Sequence, residues 1–171
     1  MRRGLRDAAV LQLICEVPLI SWQLCSLRVE DVLMKAGQVR IPLVNHAAYQ
    51  RDGDDNRHES TFIPVKVSPD TLRKICEYLS QNGLEDKMDS PLFINFDRCP
   101  SHTRRNLVPK SILHLVKEYG KTIGIQQLNP RTIRVSAVIR TLEEANGKAS
   151  IAHWRFPHVG LHTWFHYARN H

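Results

Sequence analysis

The sequence lacks a long apolar run, a cysteine pair, any internal repeat and, over much of its second half, acidic residues. No stretch of the 171 residues reaches the roughly 18–20 consecutive apolar positions that a membrane span needs. The basic start Met1-Arg2-Arg3 is followed by apolar residues to Ile14, but Arg6, Asp7 and Gln12 interrupt them and no small-residue cleavage site follows. That excludes a signal peptide and predicts an amphipathic first helix. The four cysteines (Cys15, Cys25, Cys76, Cys99) form no CxxC pair and no metal-ligand spacing. This excludes a zinc ribbon or a disulfide framework and predicts reduced thiols in a cytoplasmic setting. Between Arg98 and Arg140 there are nine Lys or Arg and one acid, Glu118. A surface kept only for solubility mixes its signs, so the run points to an anionic partner.

What remains is a globular composition, 42% hydrophobic with a net charge of +7. The length suits one domain over 1–171 and is short for two. No strongly amphipathic Lys-rich helix favours a membrane surface, so nucleic acid is the expected partner.

Apolar spacing predicts a buried helix over 5–16, ended by Pro18, and a second over 20–27. Gln38 to Leu43 reads as a strand, with Gly37 as the turn before it. Polar residues 45–60, centred on Asp52-Gly53-Asp54-Asp55-Asn56, read as a hairpin tip, and Thr61 to Val65 as the returning strand. Ser68-Pro69-Asp70 opens a helix that Asn82-Gly83 closes. Leu92 to Ile94 reads as a short strand, and 97–106 as a basic loop. Pro109 and Pro130 each start a helix, ending near Gly120–Gly124 and Asn146–Gly147. A short helix, a turn at 157–160 and a final helix complete the chain. The fold class is α+β, mostly helical, with helices around a small antiparallel sheet.

Several stretches carry a resemblance. His158 lies in Phe156-Pro157-His158, and Tyr167 follows nine residues later. Asn129-Pro130-Arg131-Thr132-Ile133-Arg134 stands at a helix start closed by Gly147. Leu24 to Val32 ends in Leu27-Arg28-Val29-Glu30-Asp31-Val32, and Phe62-Ile63-Pro64-Val65 precedes the helix opened by Asp70. Together they resemble the boxes of the tyrosine recombinases, the phage-integrase family, over nearly the whole chain. The resemblance implies that family's catalytic-domain fold, double-stranded DNA as partner, no cofactor, a tetramer on DNA and a nucleoid-associated, prokaryotic or mobile-element setting. It also implies that an N-terminal DNA-clamping domain stands outside this sequence.

The implied reaction is attack of the Tyr167 hydroxyl on a DNA phosphodiester, giving a 3′-phosphotyrosyl link and a free 5′-hydroxyl. A phenol with a pKa near 10 needs a proton acceptor. The phosphorane needs cationic forks, and the departing oxygen needs a proton. The resemblance gives Arg134 as phosphate clamp and His158 as a donor to a phosphate oxygen. Arg131 stands where the family most often has histidine, and can donate to phosphate but not act as a base. Arg57 and His58 of the hairpin, Arg104 and Arg105 of the basic loop, and Lys110 are the expected DNA contacts.

Besides Arg131, two further positions depart from the pattern. Aligned on Leu27 and Asp31, Pro18-Leu19-Ile20-Ser21-Trp22-Gln23-Leu24 puts Ile20 where the family has its first catalytic arginine, and the hairpin lysine is absent. Two readings therefore stay open: a strand-exchange enzyme, and a recombinase-like domain that binds DNA or a recombinase partner without cutting. A third, from the i, i+4, i+8 spacing of His158, His162 and His166, is metal binding by the tail.

Overall fold

The first helix, α1 (Arg2–Glu16), begins three residues earlier than its apolar spacing predicts. Within it Arg6 and Asp7, which interrupt the apolar spacing, are both buried. Arg6 donates from Nε and Nη2 to Asp7 Oδ1 at 2.8 and 2.6 Å, and from Nη1 to the Ile94 carbonyl at 3.1 Å. Its guanidinium also lies 5.1 Å from the centre of the Phe96 ring. A charge can be buried when it is paired and its remaining hydrogens are satisfied, and this one is. The computed structural model describes residues 2–43, 61–96 and 106–169.

After Pro18 come α2 (Ser21–Ser26) and a three-stranded antiparallel sheet. β1 (Val32–Leu33), β2 (Gln38–Leu43) and β3 (Thr61–Lys66) lie in that order, with Val39 opposite Val65 and Ile41 opposite Ile63. Val39, Ile41 and Val65 face the core, as the two-residue period of a half-buried strand requires. Gly37, at φ 66°, makes the left-handed turn between β1 and β2 that a side chain would strain. β1 is an addition to the sequence reading, which left Leu27 to Val32 unassigned. Residues 92–94 show the opposite difference: they form no strand among the described residues, and isolated bridges stand at either side, Arg28 to Pro91 and Ile94 to Asn106.

α3 (Pro69–Asn82) starts as read: the Ser68 hydroxyl accepts from Thr71 N at 3.3 Å, and Gly83 closes the helix in the left-handed region. α4 (Pro109–Thr122), α5 (Pro130–Glu144), α6 (Ala149–Arg155) and α7 (Leu161–Ala168) complete the described elements. α1 packs against α3 and α5, and α7 against α5 and α6. One hydrophobic cluster joins them, with Trp164, Tyr78, Phe93 and Phe156 as its largest fully buried side chains.

Contacts distant in sequence fix the end of α1. The Glu16 carboxylate accepts from Ser68 N at 2.6 Å, from Ser68 Oγ at 2.8 Å and from Thr71 Oγ1. From the α5 side, Arg140 Nη2 donates to the Cys15 and Glu16 carbonyls at 2.6 and 3.2 Å, closing open acceptors of the helix end. Glu16 thus ties α1 to the first turn of α3. Replacing Glu16 with alanine removes the acceptor of the fully buried Thr71 hydroxyl, leaving it only Ser68 Oγ at 3.1 Å, and is expected to cost about 2 kcal/mol, read as a lower urea midpoint at unchanged slope. A loss below about 0.5 kcal/mol would refute the tie.

Candidate active site

α5 has a strongly specified start. The Asn129 side chain accepts from Thr132 N at 3.0 Å, and Thr132 Oγ1 accepts from Asn129 N at 3.1 Å. Pro130 occupies the first turn. This reciprocal cap, with proline in place, sets where the helix begins and so where its side chains point. Arg134 falls on the second turn, half-buried. Its Nε donates to the Pro18 carbonyl at 3.3 Å, and among the described residues its terminal nitrogens have no partner. Burial lowers its pKa from the usual guanidinium value, and the adjacent Tyr167 hydroxyl, when ionised, pulls it back up. The guanidinium stays charged, with a fork left open.

His158 sits in the turn between α6 and α7. Phe156 and Val159 on either side are buried. The Val159 carbonyl accepts from Trp164 Nε1 at 3.2 Å and pairs with His153 Nδ1 at 3.1 Å, and Val159 N donates to the Phe156 carbonyl. The Phe156 ring meets the imidazole edge-on at 5.9 Å. The turn is therefore pinned at three points. Both ring nitrogens of His158 are shielded from solvent, and neither has a hydrogen bond of good geometry. Burial pushes the imidazole pKa down to about 4; the Pro18 carbonyl opposes that shift, and Arg134 adds to it. At neutral pH the ring is uncharged, so one nitrogen holds a hydrogen and the other a lone pair.

Tyr167 lies on α7, which packs on α5. Its ring is half-buried against the core, and His166 meets it edge-to-face at 5.0 Å. Arg134, His158 and Tyr167 thus share one neighbourhood: Arg134 is electrostatically linked to both of the others, and Pro18 to Arg134 and His158.

Arg131 stands one turn before Arg134 and is exposed. Lys110 is exposed at the start of α4. Arg57, His58, Arg104 and Arg105 lie outside the described residues.

Ile20 flanks α2 two residues after Pro18, and is half-buried. Its backbone N donates to Gln23 Oε1 at 3.1 Å, while Gln23 Nε2 donates to the Pro42 carbonyl at 3.1 Å. The amide of Gln23, buried in the molecule, bridges the start of α2 to the end of β2. Sequence reading missed this bridge, and it missed Pro18 as an acceptor. It took Pro18 only as a helix breaker, and no sequence signal marks a carbonyl that a residue 116 positions away will bond.

The metal reading finds no geometric support. His158 is turned inward, whereas His162 and His166 line an open cleft with Phe165 and Arg169. Among the described residues no group of three His, Cys, Asp or Glu is placed to hold an ion. Likewise, no helix of the described residues is long and apolar enough to cross a membrane.

Burial of His158 makes stability depend on pH. Its folded pKa of about 4 lies below the ordinary value of 6.5. The unfolded chain therefore binds the extra proton first, and stability falls as pH drops from 6.5 towards 4. Between pH 7 and pH 5 this group is expected to remove about 2 kcal/mol. Urea titrations of the wild type and of His158→Asn at the two pH values test this. Equal pH dependence in both proteins would overturn the assignment.

No family model matches the chain. Over 158 residues it is 27% identical to the tyrosine recombinase XerA of Pyrococcus furiosus, an alignment covering 86% of this chain and 48% of that protein. Over 171 residues it is 24% identical to the tyrosine recombinase XerC of Thermodesulfovibrio yellowstonii, covering 91% of this chain and 51% of that protein. The chain spans about half the length of the curated relatives it matches. In fold it is similar to a crystal structure of XerA recombinase, with a TM-score of 0.68 at 16% identity, covering 96% of this chain and 51% of that one. It is also similar to a XerH site-specific recombinase bound to its difH substrate in a pre-cleavage complex, with a TM-score of 0.71 at 14% identity, covering 99% and 44%.

Proposed function

We propose that this chain, a relative of the tyrosine recombinases in sequence and in fold, is the DNA-cleaving and rejoining domain of a site-specific recombinase. The observation that carries the proposal is the meeting of an open Arg134 fork with a solvent-shielded His158 imidazole, which has only the Pro18 carbonyl as a weak partner, beside Tyr167 of α7. Buried donors without acceptors are costly, and they are found where a ligand completes them. A phosphodiester oxygen is an acceptor of the right charge for both groups.

In the proposed reaction the Tyr167 oxygen bonds to phosphorus, and the bond from phosphorus to the 5′-oxygen breaks. The phenolic proton leaves to solvent or a neighbouring base, and the departing 5′-oxygen takes up a proton. Arg134, and Arg131 from the exposed first turn, hold the non-bridging oxygens. His158, neutral at pH 7, donates its ring hydrogen to one of them. Ester exchange conserves the bond energy, so this reading invokes no metal or nucleotide. Strand exchange joins more than one duplex, so the reading includes a homo-oligomer on DNA, with the whole of 1–171 acting as a single integrase-like unit.

The second reading, binding without cutting, has its own support. Ile20 stands where the resemblance expects an arginine, and losing one such transition-state donor costs on the order of 10²–10³ in rate.

One experiment separates the two. Duplexes of randomised sequence carrying 5′-bridging phosphorothiolate linkages release a thiol that rejoins poorly, so any cleavage is trapped. The wild type is expected to give a denaturant-stable protein–DNA adduct, absent in Tyr167→Phe and formed about 10²–10³ times more slowly by Arg134→Ala. Salt-sensitive binding without an adduct would leave the binding-only reading in place.

A further inference from the structure

The outward face of α4 presents a row of basic residues, of which the sequence reading singled out only Lys110. Lys110, His114, Lys117 and Lys121 are all exposed. At about 100° per residue their spacings of four, three and four place them within roughly 60° of one another. The row lies opposite the buried Ile112, Leu115, Val116 and Gly120. The exposed acid of this helix, Glu118, is drawn aside to Arg3 at 3.0 Å. Among the described residues Lys110, His114, Lys117 and Lys121 have no acidic partner.

A row of lysines on an amphipathic helix is often only a solvated face, and α3 shows what that looks like here. On a helix of the same 14 residues, exposed Arg73 pairs with Asp70 at 3.1 Å and Glu77 at 2.9 Å, so the signs alternate. α4 has no such compensation. From Lys110 to Lys121 the row runs about 16 Å along the axis, at roughly 1.5 Å per residue. One strand of B-DNA places four or five phosphates in about that distance along its own axis.

We infer that this face of α4 is a second DNA contact, separate from the pocket around Arg134, tracking the phosphates of one strand and supplying affinity without reading sequence. It rests on the DNA-binding reading of the chain and adds to that reading a surface, a length and a number of contacts.

The test is the salt dependence of binding. Association with a randomised duplex is measured for the wild type and for the double variant Lys117→Gln/Lys121→Gln across a series of salt concentrations. Each lost phosphate contact lowers the slope of log K against log salt by about 0.9, so the double variant should lose about 1.8. It should also lose affinity at low salt equally across sequences and keep the thermal midpoint of the wild type. An unchanged slope would overturn the inference while leaving the Arg134 pocket and its adduct untouched. A wild type that binds no duplex at low salt would overturn both. An unchanged DNA slope with lost binding to vesicles of anionic lipid would reassign the row to a membrane surface and so overturn it.

Discussion

The site depends on how α5 grips the link between α1 and α2. Arg140 and Arg134, six residues apart on one helix, donate to the carbonyls of Cys15, Glu16 and Pro18. These carbonyls lie at the end of α1 and just beyond it, where the helix leaves acceptors unsatisfied. Two long side chains thus set the axial position of α5 against α1. Glu16, held at the same point by the first turn of α3, keeps the link from shifting the other way. The Nε of Arg134 is spent on the frame, and among the described residues its terminal nitrogens have no partner.

The second constraint is electrostatic. A ring whose nitrogens are dry and at best weakly bonded is destabilising unless something else at that position holds it. Phe156, Val159 and Trp164 do so by burying apolar surface around the turn. The imidazole therefore waits in an orientation it would not choose in water. In the proposed reaction such a donor would need little reorganisation when an anion arrives.

Sequence order revealed most of the fold because most of its boundaries are written locally. Ser68-Pro69 and Asn129-Pro130 cap helices through atoms two or three residues apart, and Gly37 and Gly83 mark left-handed turns, so reading neighbours sufficed. The nine-residue interval from His158 to Tyr167 fell on a pinned turn and the helix after it for the same reason. Three features escaped: the burial of Arg6 with Asp7, the Pro18 carbonyl as acceptor, and the Gln23 bridge. Each depends on a partner from a distant part of the chain (Ile94, Arg134 and Pro42 respectively), and periodicity carries no information about such a partner. The strand expected at Leu92–Ile94 is represented among the described residues only by isolated bridges at its ends, since apolar composition does not by itself supply a pairing partner.

Ile20 and Gln23 are best understood together. The Gln23 amide accepts from Ile20 N and donates to the Pro42 carbonyl. A carboxylate at position 23 would accept the first bond but could not donate the second, and it would bring a buried charge with no described cation to match it. The first of these bonds uses the backbone of residue 20, so it is the Gln23 amide, and not the Ile20 side chain, on which both depend. The pair stiffens the joint between α2 and the base of the β2–β3 hairpin while adding no charge to the pocket. The positive charge for an anion then comes mainly from α5, with Arg134 and Arg131 one turn apart on a helix whose start is fixed by a reciprocal cap. Two cations on one rigid turn hold their spacing better than two on separate elements, but they approach an anion from one side only. A phosphate held in this way would be bound firmly and enclosed incompletely.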